Sequence, residues 1–342
     1  MKRIGIITSG GDAPGTNACI RTVARRALYD GVELMGIFES WDGLLAGKVR
    51  ALTRDDVTNI VQRAGTILRS ARSRLFLNPG DPQRAIDALA GHGIEGLVVV
   101  GGNGSQHATR LLADAGFPAI GVPKTIDNDL AGTELTVGFL TAVETAMLAL
   151  DNLRATAESH NRVMIVEVMG RNVGWIAVEA AIAGGADMAL IPEFEFSLDD
   201  VFQKLTHRHD TIGRNYSIII IAEGAVDVDG RIDPKGSATD KLGRPKLGGV
   251  GPMLAREIED RLGYDARSVT LGYLQRSATP TAADRILATR VSDAAYELLL
   301  SGQSGLMAGL KGTEVVPVKL ADVVGKEKTV TREYYRLSEL FG

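Results

Sequence analysis

Cysteine is nearly absent from this chain: 342 residues hold one, Cys19. That excludes an internal disulfide and any cysteine-built metal site, and it suits a reducing compartment. Aromatic residues make up only 5%, too few for a stacking platform that grips single-stranded nucleic acid. Neither sign of charge prevails: 38 basic side chains face 42 acidic ones, for a formal net charge of -4. No overall basic field therefore draws nucleic acid or an anionic membrane. No apolar run reaches the length of a membrane span, and no low-complexity linker interrupts the chain. The first residues enter a strand pattern directly, without a charged-then-apolar leader. The expectation is a cytoplasmic protein that binds neither nucleic acid nor membrane.

What is present is an alternation. Short runs rich in Ile and Val (KRIGIIT, VELMGIF, GLVVV, PAIGV, RVMIVEV, DMALIP, SIIIIAEG, RSVTLGY, EVVPVKL) alternate with longer stretches of helical spacing that stop at glycine. Uniformly apolar strands between helices indicate parallel sheets buried on both faces. At this length the pattern predicts an α/β protein of two doubly wound domains with mostly parallel sheets, with ligands collecting at the carboxyl ends of the strands. The expected limits are 1–138 plus about 252–302 for one domain, and 139–251 plus about 303–342 for the other. The polar stretch VDVDGRIDPKGSATDKLGRPK reads as a surface hairpin or mobile loop.

Four constellations carry chemistry. In SGGDAPGTN, Gly10 and Gly11 let backbone approach a ligand, and Asp12 or a small neighbour can cap a helix starting near Pro14. GGNGSQ repeats this arrangement after GLVVV, with Gly104 leaving room for a bulky group and Asn103 offering a neutral amide where magnesium-phosphate would favour a carboxylate. In VPKTIDNDL, Asp127 and Asp129 stand two apart, so in an extended segment both carboxylates point one way, one as general base and one near a metal. Lys124 beside them would neutralise a phosphate. In RVMIVEVMGRNVGW, Arg171 lies where a guanidinium and a helix start converge on an anion. Arg162 opens the same strand more than about 15 Å away at roughly 3.3 Å per residue, too far to serve the same ligand. A ligand-free reading as ordinary turns stands beside each of these.

In order and spacing, TSGGDAPGTN, SAR (Ser70–Arg72), GGNGS, PKTIDND, MGR, AEG and LGYLQR resemble the signatures of bacterial 6-phosphofructokinases, from residue 1 to about residue 300. The resemblance implies phosphoryl transfer to the 1-hydroxyl of fructose 6-phosphate in glycolysis, with the active site in the cleft between the first expected domain, which would hold the phosphoryl donor, and the second, which would hold the sugar phosphate. It makes Asp127 the base, puts Thr125 and Arg171 on the transferring group, and gives Asp129 a part in organising Mg2+. Gly11, Arg72, Gly102, Asn103, Gly104 and Ser105 would hold the donor, with Lys124 next to it. Met169, Gly170, Glu223, Tyr273 and Arg276 would meet the sugar phosphate. Arg162 and Arg267 would come from an adjacent subunit, which implies a homo-oligomer, usually a tetramer. Arg21, Arg25, Arg54, Arg154 and Asp187 match an effector site between subunits.

Several positions depart from the family pattern. Asn103 replaces a magnesium-associated aspartate, Tyr273 a histidine, Ser277-Ala278 a glycine pair, and Asp187 a glutamate. RHDTIGRN lacks the expected basic pair in register. A glycine at position 104 accompanies ATP in the family, whereas lysine at position 124 is frequent in pyrophosphate enzymes. Steric exclusion makes Gly104 the stronger guide, so ATP is the expected donor and pyrophosphate the alternative. A weakly catalytic, ligand-binding regulatory relative is the reading from another class. A dehydrogenase is excluded because no GxGxxG run follows the first strand.

Overall fold

Runs without a polar side chain become the buried strands. Leu97, Val98, Val99 and Val100 are all fully inaccessible, as expected for a strand covered on both faces. The computed structural model describes residues 1–71, 73–76, 78–234, 239, 243 and 245–341. The chain divides into two units, Met1–Thr141 with Arg276–Glu327, and Ala142–Gln275 with Lys328–Gly342.

The first unit begins with β1 (Arg3–Thr8), α1 (Thr16–Asp30), β2 (Glu33–Ile37), α2 (Ser40–Leu45) and β3 (Val49–Ala51). It continues through α3 (Asp81–Gly91), β4 (Leu97–Gly101), α4 (Asn103–Asp114) and β5 (Ala119–Pro123). After α5 (Phe139–His160) come β6 (Val163–Val168), α6 (Trp175–Gly184), β7 (Met188–Leu190) and α7 (Leu198–Thr206) of the second unit. A π-helical turn, His207–Thr211, extends α7 and is followed by β8 (Ser217–Ala222), α8 (Val250–Leu262) and β9 (Ala266–Thr270). From the short α9 (Leu274–Ser277) the chain re-enters the first unit with α10 (Ala282–Leu300), β10 (Leu306–Lys311), β11 (Glu314–Lys319) and α11 (Leu320–Val323). Helix α12 (Arg332–Phe341) belongs to the second.

The first unit's sheet runs β11-β10-β5-β4-β1-β2-β3. Its interior pairs are parallel, and antiparallel partners close both edges. The second sheet, β7-β8-β6-β9, is parallel throughout. Helices α1 and α10 cover one face of the first sheet through Ile20, Val23, Val291 and Tyr296; α3 and α4 cover the other through Leu89 and Leu112. The second sheet packs Ile219 and Ile221 against α7 and α8. Both sheets are thus open, helix-covered and mostly parallel, as the sequence pattern predicts.

The unit limits differ from the expected ones at residues 139–141, which stay with the first unit, and in two longer stretches. Residues 252–275 stay with the second unit because β9 pairs with β6. Residues 303–327 join the first because β10 pairs with β5. The sequence reading has no strand at β3 or β10. Three residues at an edge leave little pattern, and LMAGLK replaces branched side chains with Met, Ala and Gly. Pro317 in β11 is tolerated because that strand is the sheet's edge. In the polar segment expected as a hairpin, residues 235–238, 240–242 and 244 lie outside the described residues; Thr239 and Pro245 form an antiparallel bridge.

Candidate active site

Both glycine pairs fall where parallel strands end. After β1 the chain turns at Gly10, whose φ of 84° is left-handed and costs an L side chain strain. Helix α1 starts at Thr16, later than expected, with Gly15 as N-cap and no side-chain cap, so Asp12 does not cap it. Four successive carbonyls of this turn are held from the protein side. Lys124 Nζ donates to Ser9 O (3.0 Å) and Gly11 O (2.5 Å), Ser70 Oγ to Gly10 O (2.7 Å), and Arg276 Nη1 to Asp12 O (2.9 Å). Because each peptide is trans, its N–H faces away from its carbonyl. The amides of Gly11 and Asp12 have no hydrogen-bond acceptor among the described residues. A cavity of about 370 Å³ opens here, lined by the turn and by Thr66, Arg69 and Ser70. Unpaired amides at a cavity wall make an anion cradle. A Cβ at Gly11 would lie 2.2 Å from Arg276 Nη1, so the guanidinium that holds Asp12 O would have to shift.

The second pair ends β4. Gly102 is the N-cap of α4, and Ser105 N and Gln106 N both donate to its carbonyl. At Gly104 an added Cβ would meet no atom within 4 Å. Packing does not require glycine there, and the space beyond is open. Gln106, fully buried, donates Nε2 to Gly101 O (2.8 Å) and Val122 O (3.1 Å) and locks α4 onto the ends of β4 and β5. The sequence reading quotes Gln106 within its motif yet assigns it no task.

The TIDND segment is not extended. Asn128 has φ 54° and accepts a hydrogen bond on Oδ1 from Thr136 N (3.1 Å), while Thr136 Oγ1 donates to Thr125 O (2.7 Å). Asp127 and Asp129 are therefore brought together by a pinned left-handed turn rather than by strand alternation. Asp127 N donates to Thr125 Oγ1 at 3.1 Å. Burial, with the charge of Asp127 beside it, pushes the Asp129 carboxyl well above the usual carboxylate range. Asn103 Nδ2 donates to Asp129 Oδ2 at 2.7 Å. The two residues singled out for metal thus touch each other. Asp129 Oδ1 is buried without a hydrogen-bond partner, an orphaned oxygen of the kind a cation satisfies. Magnesium is commonly held by one or two carboxylates plus substrate phosphates, and Asn103 with Asp129 fits that donor set. No group of three or more His, Cys, Asp or Glu forms a closed metal cage among the described residues.

Lys124 departs from its expected place. It is 1% exposed, and its ammonium spends two hydrogen bonds on the first turn's carbonyls. Burial, with Arg276 adding repulsion, lowers it to about 8. Arg72 lies outside the described residues.

In the second unit, Arg171 follows β6 with a left-handed φ of 55°. Its amide donates to Glu223 Oε1 (3.1 Å), and a Cβ on Gly224 would sit 2.0 Å from its carbonyl oxygen. The MGR and AEG turns are therefore interlocked. Met169 N donates to the buried Gln275 Oε1 (2.8 Å), Gly170 takes φ 144°, and Tyr273 is 78% exposed. Arg162 and Arg267 meet at the opposite end of this sheet, on the two oxygens of Asp265 (2.6 and 2.7 Å). Arg267 also pairs with Glu259.

Of the expected effector residues, Arg21 and Arg25 lie one turn apart on α1, with Arg54 exposed in the same unit. In the second unit, Arg154 donates to the carbonyls of Gly184 (2.6 Å) and Gly185 (2.8 Å). Asp187 accepts from Ile218 N (2.7 Å) and pairs with Arg208 (2.5 Å), while burial raises its carboxyl. The segment that lacked a basic pair in register supplies Arg208 through the π-helical turn.

With both sheets and these turns in view, comparison with known proteins is decisive. The sequence model of the phosphofructokinase family matches residues 3–299. The chain belongs to the phosphofructokinase family. It is 45% identical to the pyrophosphate–fructose 6-phosphate 1-phosphotransferase of Amycolatopsis methanolica, over 99% of each chain. It is 44% identical to ATP-dependent 6-phosphofructokinase 3 of Streptomyces coelicolor, over 98% of this chain and 99% of that one. The crystal structure of a pyrophosphate-dependent phosphofructokinase from Marinobacter aquaeolei superposes with a TM-score of 0.81 at 25% identity, covering 98% of this chain and 86% of the other. Phosphofructokinases named for either donor thus stand equally near this one. No helix among the described residues is long and apolar enough to cross a membrane.

Proposed function

We propose that the chain is a cytoplasmic 6-phosphofructokinase that transfers the terminal phosphoryl group of ATP to the 1-hydroxyl of fructose 6-phosphate. The observation carrying the choice of ATP is the open space at Gly104, where a Cβ meets nothing within 4 Å. A donor larger than pyrophosphate needs that room. Phosphoryl transfer asks a protein chiefly for positioning and for positive charge around the moving group. In this reading Asp127 takes the hydroxyl proton as the oxygen attacks phosphorus. The Thr125 hydroxyl and the Arg171 guanidinium stabilise the transferring group, and the amides of Gly11 and Asp12 and the start of α4 hold the donor phosphates. Asn103 and Asp129 would hold Mg2+, which supplies neutralising charge to the donor phosphates when bound. Glu223, Met169 and Arg276 meet the sugar phosphate, with Arg162 and Arg267 serving a neighbouring subunit of a homotetramer. Their position at the sheet end remote from Arg171 supports that separation.

A second reading, pyrophosphate as donor, is favoured by the relative of that name at 45% identity. The test is fructose 1,6-bisphosphate formation by purified protein with magnesium and ATP or pyrophosphate in parallel. Product with ATP supports the proposal; product with pyrophosphate alone replaces the donor. No product with either, from folded protein that still binds fructose 6-phosphate, overturns catalysis in favour of a regulatory relative.

A further inference from the structure

Lys124 stands out as a cationic side chain that is almost entirely buried and makes no ion pair within 4 Å among the described residues. Burying an ammonium is costly unless hydrogen bonds replace its water. Here the replacements are main-chain carbonyls, Ser9 O and Gly11 O, on either side of the left-handed Gly10. A turn with two adjacent glycines is conformationally permissive, so something must fix which way its amides face. Gly10 O is fixed by Ser70 and Asp12 O by Arg276, whereas Lys124 reaches two carbonyls of the turn at once. Its stem passes under the turn from the end of β5, where Lys124 N donates to Gly101 O (3.1 Å). One residue therefore links the end of β4, the end of β5 and the first glycine turn. With its ammonium engaged below, Lys124 is placed to act on the donor through the turn.

We infer that Lys124 is a positioning residue, pinning the carbonyls of Ser9 and Gly11 so that the Gly10 peptide is fixed on one side of the glycine pair and the Asp12 amide, trans to Gly11 O, faces the phosphoryl donor, whichever donor is used. The inference rests on the proposed kinase reading for its kinetic consequences but not for its structural one. Because the pin acts on backbone, it serves a triphosphate and a diphosphate alike.

The experiment compares the full-length protein with Lys124→Met, which keeps an unbranched stem without the ammonium. Lys124→Gln, which keeps neutral donors, serves as a second variant should the first fail to fold. The expected result is a donor KM raised about tenfold, the scale of losing hydrogen bonds to a charged donor. The rise is equal for ATP and pyrophosphate, with kcat and the KM for fructose 6-phosphate within about twofold. In unliganded protein, the 15N order parameters of Gly10, Gly11 and Asp12 fall from about 0.85 toward 0.6. An altered ratio of kcat/KM between the two donors means direct donor contact and overturns the inference. Lowered thermal stability with donor KM and order parameters unchanged overturns it equally, leaving Lys124 a packing element. If wild-type protein forms no bisphosphate with either donor, the kinase reading falls, while the order parameters still decide on Lys124.

Discussion

At the scale of single residues, the site is governed by what meets the Asp129 carboxyl. In this chain a neutral amide donates to it, Asn103 Nδ2 at 2.7 Å. Asn103→Asp replaces that hydrogen bond with a second carboxylate, and two such groups are accommodated by a shared proton or by a cation between them. The expected outcome is stronger magnesium dependence with a higher rate at saturation. A magnesium titration superimposable on wild type would show that position 103 does not meet the ion. Asp127→Ser removes the proposed base and should lower kcat by about 10²–10⁴-fold, with fructose 6-phosphate binding unchanged by calorimetry; normal turnover would end its role. Gly104→Asp should fold normally, since its side chain enters open space. Its ATP activity should nonetheless collapse while any pyrophosphate activity persists, measured as kcat/KM for each donor. Among these residues the sequence made the chemical types legible but not their directions. Spacing placed Lys124 near the carboxylates, yet only the fold shows its ammonium turned beneath the first glycine turn. Asp127 and Asp129 were paired by a strand rule, whereas Asn128 at positive φ is what joins them.

At the scale of elements, helix starts and strand ends are clamped by buried polar side chains that carry no motif. Gln106 ties α4 to β4 and β5. Glu167, inside β6, accepts from Gly249 N (3.0 Å) and Gly251 N (2.8 Å) and so seats the start of α8. Gln106→Leu should lower the unfolding free energy by about 1–3 kcal/mol, the cost of leaving the Gly101 and Val122 carbonyls without their donor, read by urea unfolding. Buried strands were legible because Ile and Val runs have few alternatives between helices. Their buried polar partners were not, since a Gln or Glu on a core face looks the same in sequence as one on the surface. The π-helical turn failed for a different reason: an extra residue per turn breaks the periodicity by which Arg208 would be found.

For the whole molecule, the buried ammonium of Lys124 ties stability and donor binding to pH with opposite signs. Burial and Arg276 lower it to about 8 against the usual 10.5, while Asp12, Cys19 and Asp127 pull the other way. Between these values the unfolded chain holds a proton that the folded one has lost, so this group's contribution to stability grows as pH rises through that window. Below pH 8 it is charged in both states and adds no slope. The pin on the turn weakens over the same interval, so donor KM should climb above pH 8 even as the Lys124 contribution to stability grows. Thermal unfolding and donor KM measured from pH 7 to 10 on wild type and Lys124→Met separate the two, because the variant should show neither dependence from this group. Domain limits were the least legible feature at this scale, because a pattern of alternating strands and helices does not say which sheet each strand joins.

The outer side of β5 takes its partner, β10, from far along the chain, at Ile120 with Leu306 and Gly121 with Met307. That late arrival lies beyond the stretch matched by the family model. A chain shortened before residue 306 would keep every motif of the site and leave a flat, apolar strand edge uncovered. Such an edge recruits a strand from another molecule. The last hairpin therefore covers that side of β5 and moves the sheet's edge out to β11, where Pro317 offers no amide to a further strand.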